Sequence, residues 1–251
     1  MISTKEVFRT LPTPVETAEL IFKAGVKFDD KVLNPVENVP YYITSQSMAL
    51  NLGIYCADLS FSSLFDQKQT TLDYLNAVKT LTDGLGLVHM LKQEDIIKLE
   101  ENLYNKDSIK IMVEDLIFNS GEFLNDNNRP EIALLVVVGG WVEGMYIAMQ
   151  MAKQSGRINK ELVDRMVEQY QSLLLVIKSL EDFKKLSAIE GVLNDMSELK
   201  ELYDKMIPGD TQSVANTNTT NLAQNSKAVV TPDLFLSLYH EILKIRNGYT
   251  Q

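Results

Sequence analysis

The sequence predicts an all-α protein, a bundle in which about eight or nine helices surround one central apolar helix. Three observations support this class. Apolar residues recur every three or four positions through most of the chain, capping residues precede these stretches, and Gly or Pro follows them. No long alternating or β-branched run competes, since the short run at residues 135–138 lies within a helical pattern.

The composition limits the classes of partner. The 251 residues are 45% hydrophobic and 23% charged, which is typical of a globular protein. The formal net charge of −10 opposes a phosphate-binding surface, because such a surface needs clustered Lys and Arg. We therefore expect neither nucleic acid nor an anionic membrane surface as a partner. The single cysteine, Cys56, excludes an intrachain disulfide and any Cys-rich zinc module.

The predicted domain organisation is simple. Residues 13–251 are expected to form a single helical domain, preceded by a flexible polar arm of residues 1–12. Residues 209–230 are predicted to be a mobile loop, because Asn, Thr, Gln and Ser dominate them and leave little apolar surface to bury. The first residues show no export signal, but a chain from which a signal had been removed would look the same.

The first helix is predicted to begin after Thr13. Pro14 suits the first helical position, and Glu16 can complete a capping box with Thr13. The helix is expected to stop at Gly25, which can adopt the left-handed conformation common at helix ends. An irregular connection that contains two prolines, residues 26–40, should follow.

The next three predicted helices complete the first half. The second, residues 41–63, is rich in small residues. Asp66 is predicted to cap the third, whose leucines recur at helical spacing before the stop signals Gly84 and Gly86. A shorter and more charged fourth helix should cover residues 92–104.

The second half begins with a helix that Asp107 is predicted to cap. Asn128 and Glu131 are placed to form a capping box for the central helix that follows. The last three predicted helices cover residues 159–180 with Asn159 as the cap, residues 182–206, and the stretch from Thr231 and Pro232 onward.

Residues 133–149 are the most apolar stretch of the chain. They contain the only tryptophan, Trp141, and one carboxylate, Glu143, near the middle. The stretch is long enough to span a membrane, but the cost of inserting Glu143 about offsets the gain from its Ile, Leu and Val residues. We therefore predict a buried core helix rather than a membrane span.

The chain contains a possible internal repeat. Residues 19–25 resemble residues 115–121 at an offset of 96, and the tyrosines Tyr74 and Tyr170 keep the same offset. Each copy precedes a helix with small residues four apart, which lets two helix backbones approach closely. These are Gly53 and Ala57 in the first half, and Gly140 and Gly144 in the second. Two interpretations stay open: a duplicated three-helix unit with halves at residues 13–90 and 107–180, or two chance occurrences of a common helix ending.

Two polar stripes define a candidate pocket. Asn51, Tyr55 and Asp58 lie on one face of the second helix, while Glu143 and Tyr146 share a face of the central helix. If the stripes face each other, they could line a small polar pocket in which burial raises the pKa of a carboxyl group. The alternative is that these groups satisfy one another or pair with Arg or Lys in the core. The candidate pocket residues are Asn51, Tyr55, Asp58, Trp141, Glu143 and Tyr146.

Other chemistries have little support. The histidines, His89 and His240, lack the Glu-x-x-His spacing of di-iron bundles, and Lys244 stands where a zinc helix would need a second His. Cys56 is expected to be a buried inert thiol. Gly-rich phosphate loops and a Gly-x-Ser-x-Gly motif are absent from the sequence. We therefore expect no metal, no cofactor and no catalytic residue of these types.

Two segments resemble a known group of proteins. Residues 49–61 (ALNLGIYCADLSF) and 139–146 (GGWVEGMY) are similar to an uncharacterised family of all-helical bacterial proteins, many of which begin as exported lipoproteins. The resemblance runs from about Pro12 to Met206. It implies a domain in the periplasm or cell envelope, tethered in a longer precursor by a lipid through the N-terminal arm, and it implies no activity. A cytoplasmic location stays open.

Two functions follow as hypotheses. The sequence favours a non-enzymatic helical domain that binds a partner protein or a small ligand, with its pocket between the second helix and the central helix. The alternative is an enzyme at the same place. It would use Asp58 and Glu143 as a paired acid and base, with Tyr55 or Tyr146 orienting the substrate.

Overall fold

Nine α-helices and no strand make up the part of the chain that the structure describes, so the predicted all-α class is correct. The structure is a computed structural model that describes residues 11–91, 94, 96–97, 105–154, 160–206 and 230–251. Two 3-10 turns, Asp30–Val32 and Val36–Tyr41, connect the first two helices. In chain order the helices are α1 (Pro14–Lys23), α2 (Ser45–Leu64), α3 (Lys68–Gly84), α4 (Lys106–Asp126), α5 (Pro130–Gln154), α6 (Lys160–Glu168), α7 (Tyr170–Glu181), α8 (Ser187–Met206) and α9 (Pro232–Tyr249).

Helix α5 is the predicted central helix. It packs against α1, α2, α4, α6, α7 and α9. It is long and apolar enough to cross a membrane, yet 94% of its most apolar window is buried inside the protein. Helix α2 is its main partner and is buried without a break from Ala49 to Ser63. The apolar core therefore centres on the α2–α5 pair, with the other helices around it.

Glycines allow α2 and α5 to touch through their backbones. A Cβ atom at Gly53 would overlap the carbonyl oxygen of Val136 and lie 2.5 Å from the amide nitrogen of Gly140. A Cβ atom at Gly139 would lie 2.7 Å from the carbonyl carbon of Leu50. Neither backbone can move aside, so both positions require glycine. The close approach that the small residues permit is therefore present, and it leaves no space for a ligand at the crossing.

The crossing differs in detail from the predicted motif. Gly139, which precedes the predicted pair of glycines four apart, makes the tightest approach to α2. Gly144 faces the Thr17 side chain of α1 instead, where an added Cβ would lie 2.9 Å from Cγ2. One face of α5 thus packs closely against α2, and another packs closely against α1.

Several predicted helix ends are wrong for identifiable reasons. Helix α2 begins at Ser45 rather than at residue 41, because Pro40 lies in a 3-10 turn and Thr44 forms the capping box. Asp66 does not cap α3: it has a positive φ of 58° and pairs with Lys106 at 3.0 Å. The residue before α3 is Gln67, which makes no capping hydrogen bond.

The second half shows similar corrections. Asn105, not Asp107, caps α4. Asn128 has a positive φ of 56°, unlike the extended backbone of an N-cap residue, and α5 begins two residues later at Pro130. The helix predicted for residues 159–180 is divided at Gln169 into α6 and α7. The next helix begins at Ser187, not at residue 182. The cap Thr231 and the first-turn Pro232 of α9 are as predicted.

Some predictions fall wholly or partly outside the described residues. These are most of the fourth helix at residues 92–104, the cap Asn159, residues 1–10 of the N-terminal arm, and residues 209–229 of the predicted mobile loop. Of the arm, Leu11 and Pro12 are described, and Leu11 is buried in the core. The internal repeat stays a prediction, and its two matched tyrosines have different partners: Tyr74 donates to the Asn34 carbonyl and Tyr170 to Asp204.

We predict that Gly53→Ala and Gly139→Ala each lower the free energy of unfolding by roughly 3 kcal/mol or more, because the methyl group meets backbone and not a movable side chain. Urea unfolding followed by circular dichroism measures the change. Gly191→Ala in α8 is the matched control, since a Cβ there meets nothing within 4 Å. It should raise stability by about 0.5–1 kcal/mol. Equal effects at all three positions would contradict the backbone crossing.

Candidate functional site

The irregular connection between α1 and α2 contributes a buried asparagine at the centre of the molecule. The backbone N–H of Asn34 donates to Asp58 Oδ2 at 3.1 Å. Its side-chain amide donates to the Tyr42 hydroxyl at 3.1 Å and to Asn51 Oδ1 at 3.2 Å. Asn34 therefore ties the connection to the polar face of α2.

Two tyrosines hold the backbone of the same connection. The Tyr74 hydroxyl of α3 donates to the carbonyl of Asn34, and the Tyr55 hydroxyl of α2 donates to the carbonyl of Pro35, each at 2.8 Å. Burial is the main cause that raises the pKa of both hydroxyl groups, so they remain protonated donors. The predicted face of α2 thus serves to anchor residues 34–42.

The carboxyl end of α9 is bound at the same place. Asn51 Nδ2 donates to the carbonyl of Tyr249 at 2.7 Å, and the Tyr42 hydroxyl donates to the carbonyl of Thr250 at 3.2 Å. Carbonyls at a helix end have no partner within the helix, so external donors satisfy them. Asn51 therefore joins the second helix to the last one.

A bidentate ion pair lies beside these contacts. Arg246 of α9 donates from Nε to Glu143 Oε2 at 3.0 Å and from a terminal nitrogen to Glu143 Oε1 at 3.1 Å. Glu143 is fully buried, and the guanidinium lies 4.7 Å from the ring centre of Tyr146. The Tyr146 hydroxyl accepts a hydrogen bond from Gln150. Burial opposes the charge on Arg246, but Glu143 outweighs it, so the pKa of Arg246 is raised.

Asp58 completes this polar hub, which we define as Asn34, Asn51, Asp58, Glu143 and Arg246. Burial raises the pKa of the Asp58 carboxyl well above its usual value, and the nearby Glu143 raises it further. Asp58 Oδ2 accepts from Asn34, whereas no described group donates to Oδ1. A proton on Asp58 would let Oδ1 donate to the neighbouring Glu143 carboxyl group and would leave the hub with no net charge.

Trp141 does not belong to the polar hub. It follows Gly140 on a different side of α5, and its indole N–H donates to the Gln169 side chain at 3.3 Å. There it lines a cleft between α1, α5 and α6. Most of the lining is apolar and includes Leu20, Ile21, Met145, Ala148, Leu162 and Met166. The six candidate residues are therefore divided: five lie in or beside the polar hub, and Trp141 lines the cleft.

Three residues of the site were not singled out from the sequence. The sequence does indicate that Arg246 is buried, because it lies four positions after Ile242, on the buried stripe of α9. Asn34 and Tyr42 lie in irregular chain, where no periodicity marks a buried position. The separation of Trp141 from Glu143 could also have been predicted from the sequence. The two residues are two positions apart, so their side chains point in directions about 200° apart on a helix.

Metal and thiol chemistry can be assessed for the described residues. Within them, no group of three or more His, Cys, Asp or Glu side chains is placed to hold a metal ion. Cys56 is fully buried, and burial raises the pKa of its thiol to about 12, with a further contribution from Asp58. A thiol in that state is a poor nucleophile at neutral pH.

We predict that Asp58→Asn stabilises the protein at neutral pH, because asparagine reproduces the protonated acid without ionising. Below pH 3.8, the ordinary pKa of an aspartate carboxyl, Asp58 is protonated in both the folded and unfolded chains. Above it only the unfolded chain releases the proton, so this group lowers stability by up to about 1.4 kcal/mol per pH unit until its folded pKa is reached. Thermal unfolding of both proteins from pH 4 to 8 measures the difference.

The advantage of Asp58→Asn should grow as the pH rises and shrink towards pH 4. Asp58→Leu is the matched control, because it removes the acceptor of the Asn34 N–H and should destabilise at every pH. If Asp58→Asn is less stable than the parent by the same amount at pH 4 and pH 8, Asp58 holds no proton in the folded state.

We predict that Glu143→Leu alone lowers the free energy of unfolding by about 3–5 kcal/mol, because it leaves Arg246 buried without its partner. Adding Arg246→Met should recover most of this loss, since the pair is then replaced by apolar groups of similar volume. A double-mutant cycle by urea unfolding measures the coupling. The exposed pair Lys244–Glu198 is the control, and Lys244→Gln should change stability little. Additive losses at 143 and 246 would contradict the pairing.

Comparison with known proteins adds no assignment to this geometry: no protein-family model, no curated protein and no solved structure matches the chain.

Proposed function

We propose that this chain is a non-enzymatic helical binding domain of the bacterial cell envelope, and that it holds a small apolar ligand in the cleft beside Trp141. The observation that supports the binding proposal is the cleft itself, a mainly apolar concavity with polar groups at its edge. Small-molecule sites are concave and mostly apolar, with a few polar groups that fix the orientation of the ligand. The proposed pocket thus lies on the α1 and α6 side of α5, not between α2 and α5.

The placement in the envelope has a separate basis. It rests on the resemblance of residues 49–61 and 139–146 to exported helical proteins. Fractionation of cells that express the native gene tests it: the protein should leave with the periplasmic or membrane fraction. Recovery with the cytoplasmic fraction alone would overturn the placement and leave the binding proposal standing.

The tryptophan makes the binding proposal measurable. Trp141 is the only tryptophan of the chain, so its fluorescence reports on the cleft. We predict a saturable change in its emission on titration with the neutral apolar probe N-phenyl-1-naphthylamine. Ala148→Phe should weaken this binding at least about tenfold, or about 1.4 kcal/mol, because the ring fills the cleft.

Two further variants make this experiment decisive. Ala188→Phe adds the same ring to α8, outside the cleft lining, and should leave the affinity unchanged. Leu20→Gln, at the partly buried edge of the cleft, should weaken binding even if Ala148→Phe fails to fold. An emission that does not respond to the probe, or a response that survives both cleft variants, would contradict the proposal.

The paired-carboxylate enzyme is the second candidate. One observation favours it: Asp58 and Glu143 interact closely, and the pKa of Asp58 is raised, which is a common preparation for acid or base catalysis. Against it, both side chains have no exposed surface, and Arg246 occupies both oxygens of Glu143. A substrate would have to open the core to reach them.

Carboxyl labelling separates the two candidates. We predict that a carbodiimide and glycine ethyl ester modify the exposed Asp182 of the native chain but neither Asp58 nor Glu143, as read by peptide mass spectrometry. All three should react after unfolding, which controls for detection. Native-state labelling of Asp58 or Glu143 at a rate similar to that of Asp182 would support the enzyme and contradict a purely structural polar hub.

A further inference from the structure

The cleft beside Trp141 carries one kind of charge. Arg165 of α6 is the only charged side chain among the described residues that line it, in a protein with a net charge of −10. The other lining groups are apolar except for Thr17 and Gln169. A basic group in an otherwise apolar cleft of an acidic protein favours a ligand that is apolar over most of its length and negatively charged at one place.

The polar groups of the cleft lie at one end. Leu162, Arg165, Met166 and Gln169 share one face of α6 and the turn after it, because they are three, four and seven residues apart. The indole N–H of Trp141 donates to Gln169, so the middle of α5 lies beside the end of α6. The few residues between Gln154 and Lys160 are too short a connection for α6 to reach that position running parallel to α5. The two helices therefore run antiparallel, and the polar end comprises Arg165, Gln169 and the Trp141 N–H.

The other end of the cleft is apolar. Trp141, Met145 and Ala148 lie four and three residues apart on one face of α5, a span of about 10 Å along the helix axis. Ala148 lies away from the Trp141 end, towards the beginning of α6, where Leu162 faces the cleft. The lining thus changes from polar to apolar along the direction of α5.

Arg165 can exchange its present partner for a ligand. Its guanidinium pairs with Glu168 at 2.9 Å, and both side chains are about half exposed to solvent. An ion pair at such a surface contributes little to stability, so replacing the Glu168 carboxylate by a ligand carboxylate costs little. A ligand carboxylate can form the same kind of charge-assisted hydrogen bond with this guanidinium.

We propose that the ligand is a single-chain anionic amphiphile, with its acidic head group on Arg165 and Gln169 and its hydrocarbon chain along Trp141, Met145 and Ala148. This inference rests on the proposed binding function of the same cleft. It adds the chemical class of the ligand and its direction in the cleft.

Three probes of equal chain length test the inference on the full chain. Decanoate, 1-decanol and decyltrimethylammonium are titrated below their micellar concentrations while Trp141 emission is recorded. Decanoate should bind about tenfold more tightly than decanol, which is the effect of one charge-assisted hydrogen bond, and the cationic probe should bind most weakly. Added salt should reduce the preference for decanoate and leave decanol binding unchanged.

Variants assign the preference to the arginine. Arg165→Gln should weaken decanoate binding about tenfold without changing the affinity for decanol, whereas Arg165→Lys should keep most of the preference. Lys79→Gln is the matched control, because it removes one positive charge from α3, outside the cleft lining. Its decanoate affinity should equal that of the parent chain.

The outcomes distinguish the inference from the function on which it rests. Equal affinities for decanoate and decanol, or a preference that survives Arg165→Gln, overturn the anionic class and leave an apolar binding site in place. No response of Trp141 to any of the three probes overturns both. If the parent chain and Lys79→Gln prefer decanoate and Arg165→Gln does not, the result supports both the anionic ligand class and the binding function.

Discussion

The buried ion pair between Glu143 and Arg246 joins parts of the molecule that are distant along the chain. The two residues are 103 positions apart, and their bidentate contact fixes α9 against α5. A buried charge without a partner costs several kcal/mol. If α9 docked in another register, Glu143 would remain buried without Arg246 and would incur this cost. The pair therefore selects one arrangement of the last helix and does not merely add stability to it.

The other residues of the polar hub likewise favour one arrangement of the first half of the chain. Asp58 shares the space beside Glu143 and accepts the backbone N–H of Asn34, while Asn51 holds the carbonyl of Tyr249. Because α2 and α5 touch through Gly53 and Gly139, their polar side chains are held within reach of one another. The carboxyl groups that suggest catalysis in the sequence thus have structural partners among the described residues, except at Asp58 Oδ1. The proposed binding surface lies on a different face of α5, at Trp141.

Sequence reasoning predicts some of the local features of this structure and misses the contacts between distant residues. The capping box at Thr13 and the cap at Thr231 depend on neighbouring residues and are found as predicted. The burial of Asn51 and Asp58 could be anticipated from their place within an otherwise apolar helix. The pairing of Arg246 with Glu143 could not, because no local pattern connects residues in helices so far apart. Asn34 lies in irregular chain, where the position of a side chain is set by tertiary contacts alone.

If the polar hub is electrically neutral, Asp58 carries a proton in the folded protein and donates it to Glu143. Infrared spectroscopy at neutral pH tests this protonation state most directly, by the difference between the parent chain and Asp58→Asn. The parent chain should show the carbonyl stretch of a protonated carboxylic acid, shifted in heavy water and absent from the variant. A parent spectrum without that band, and with an additional carboxylate band that the variant lacks, would show that Asp58 is ionised and that it donates no proton to Glu143.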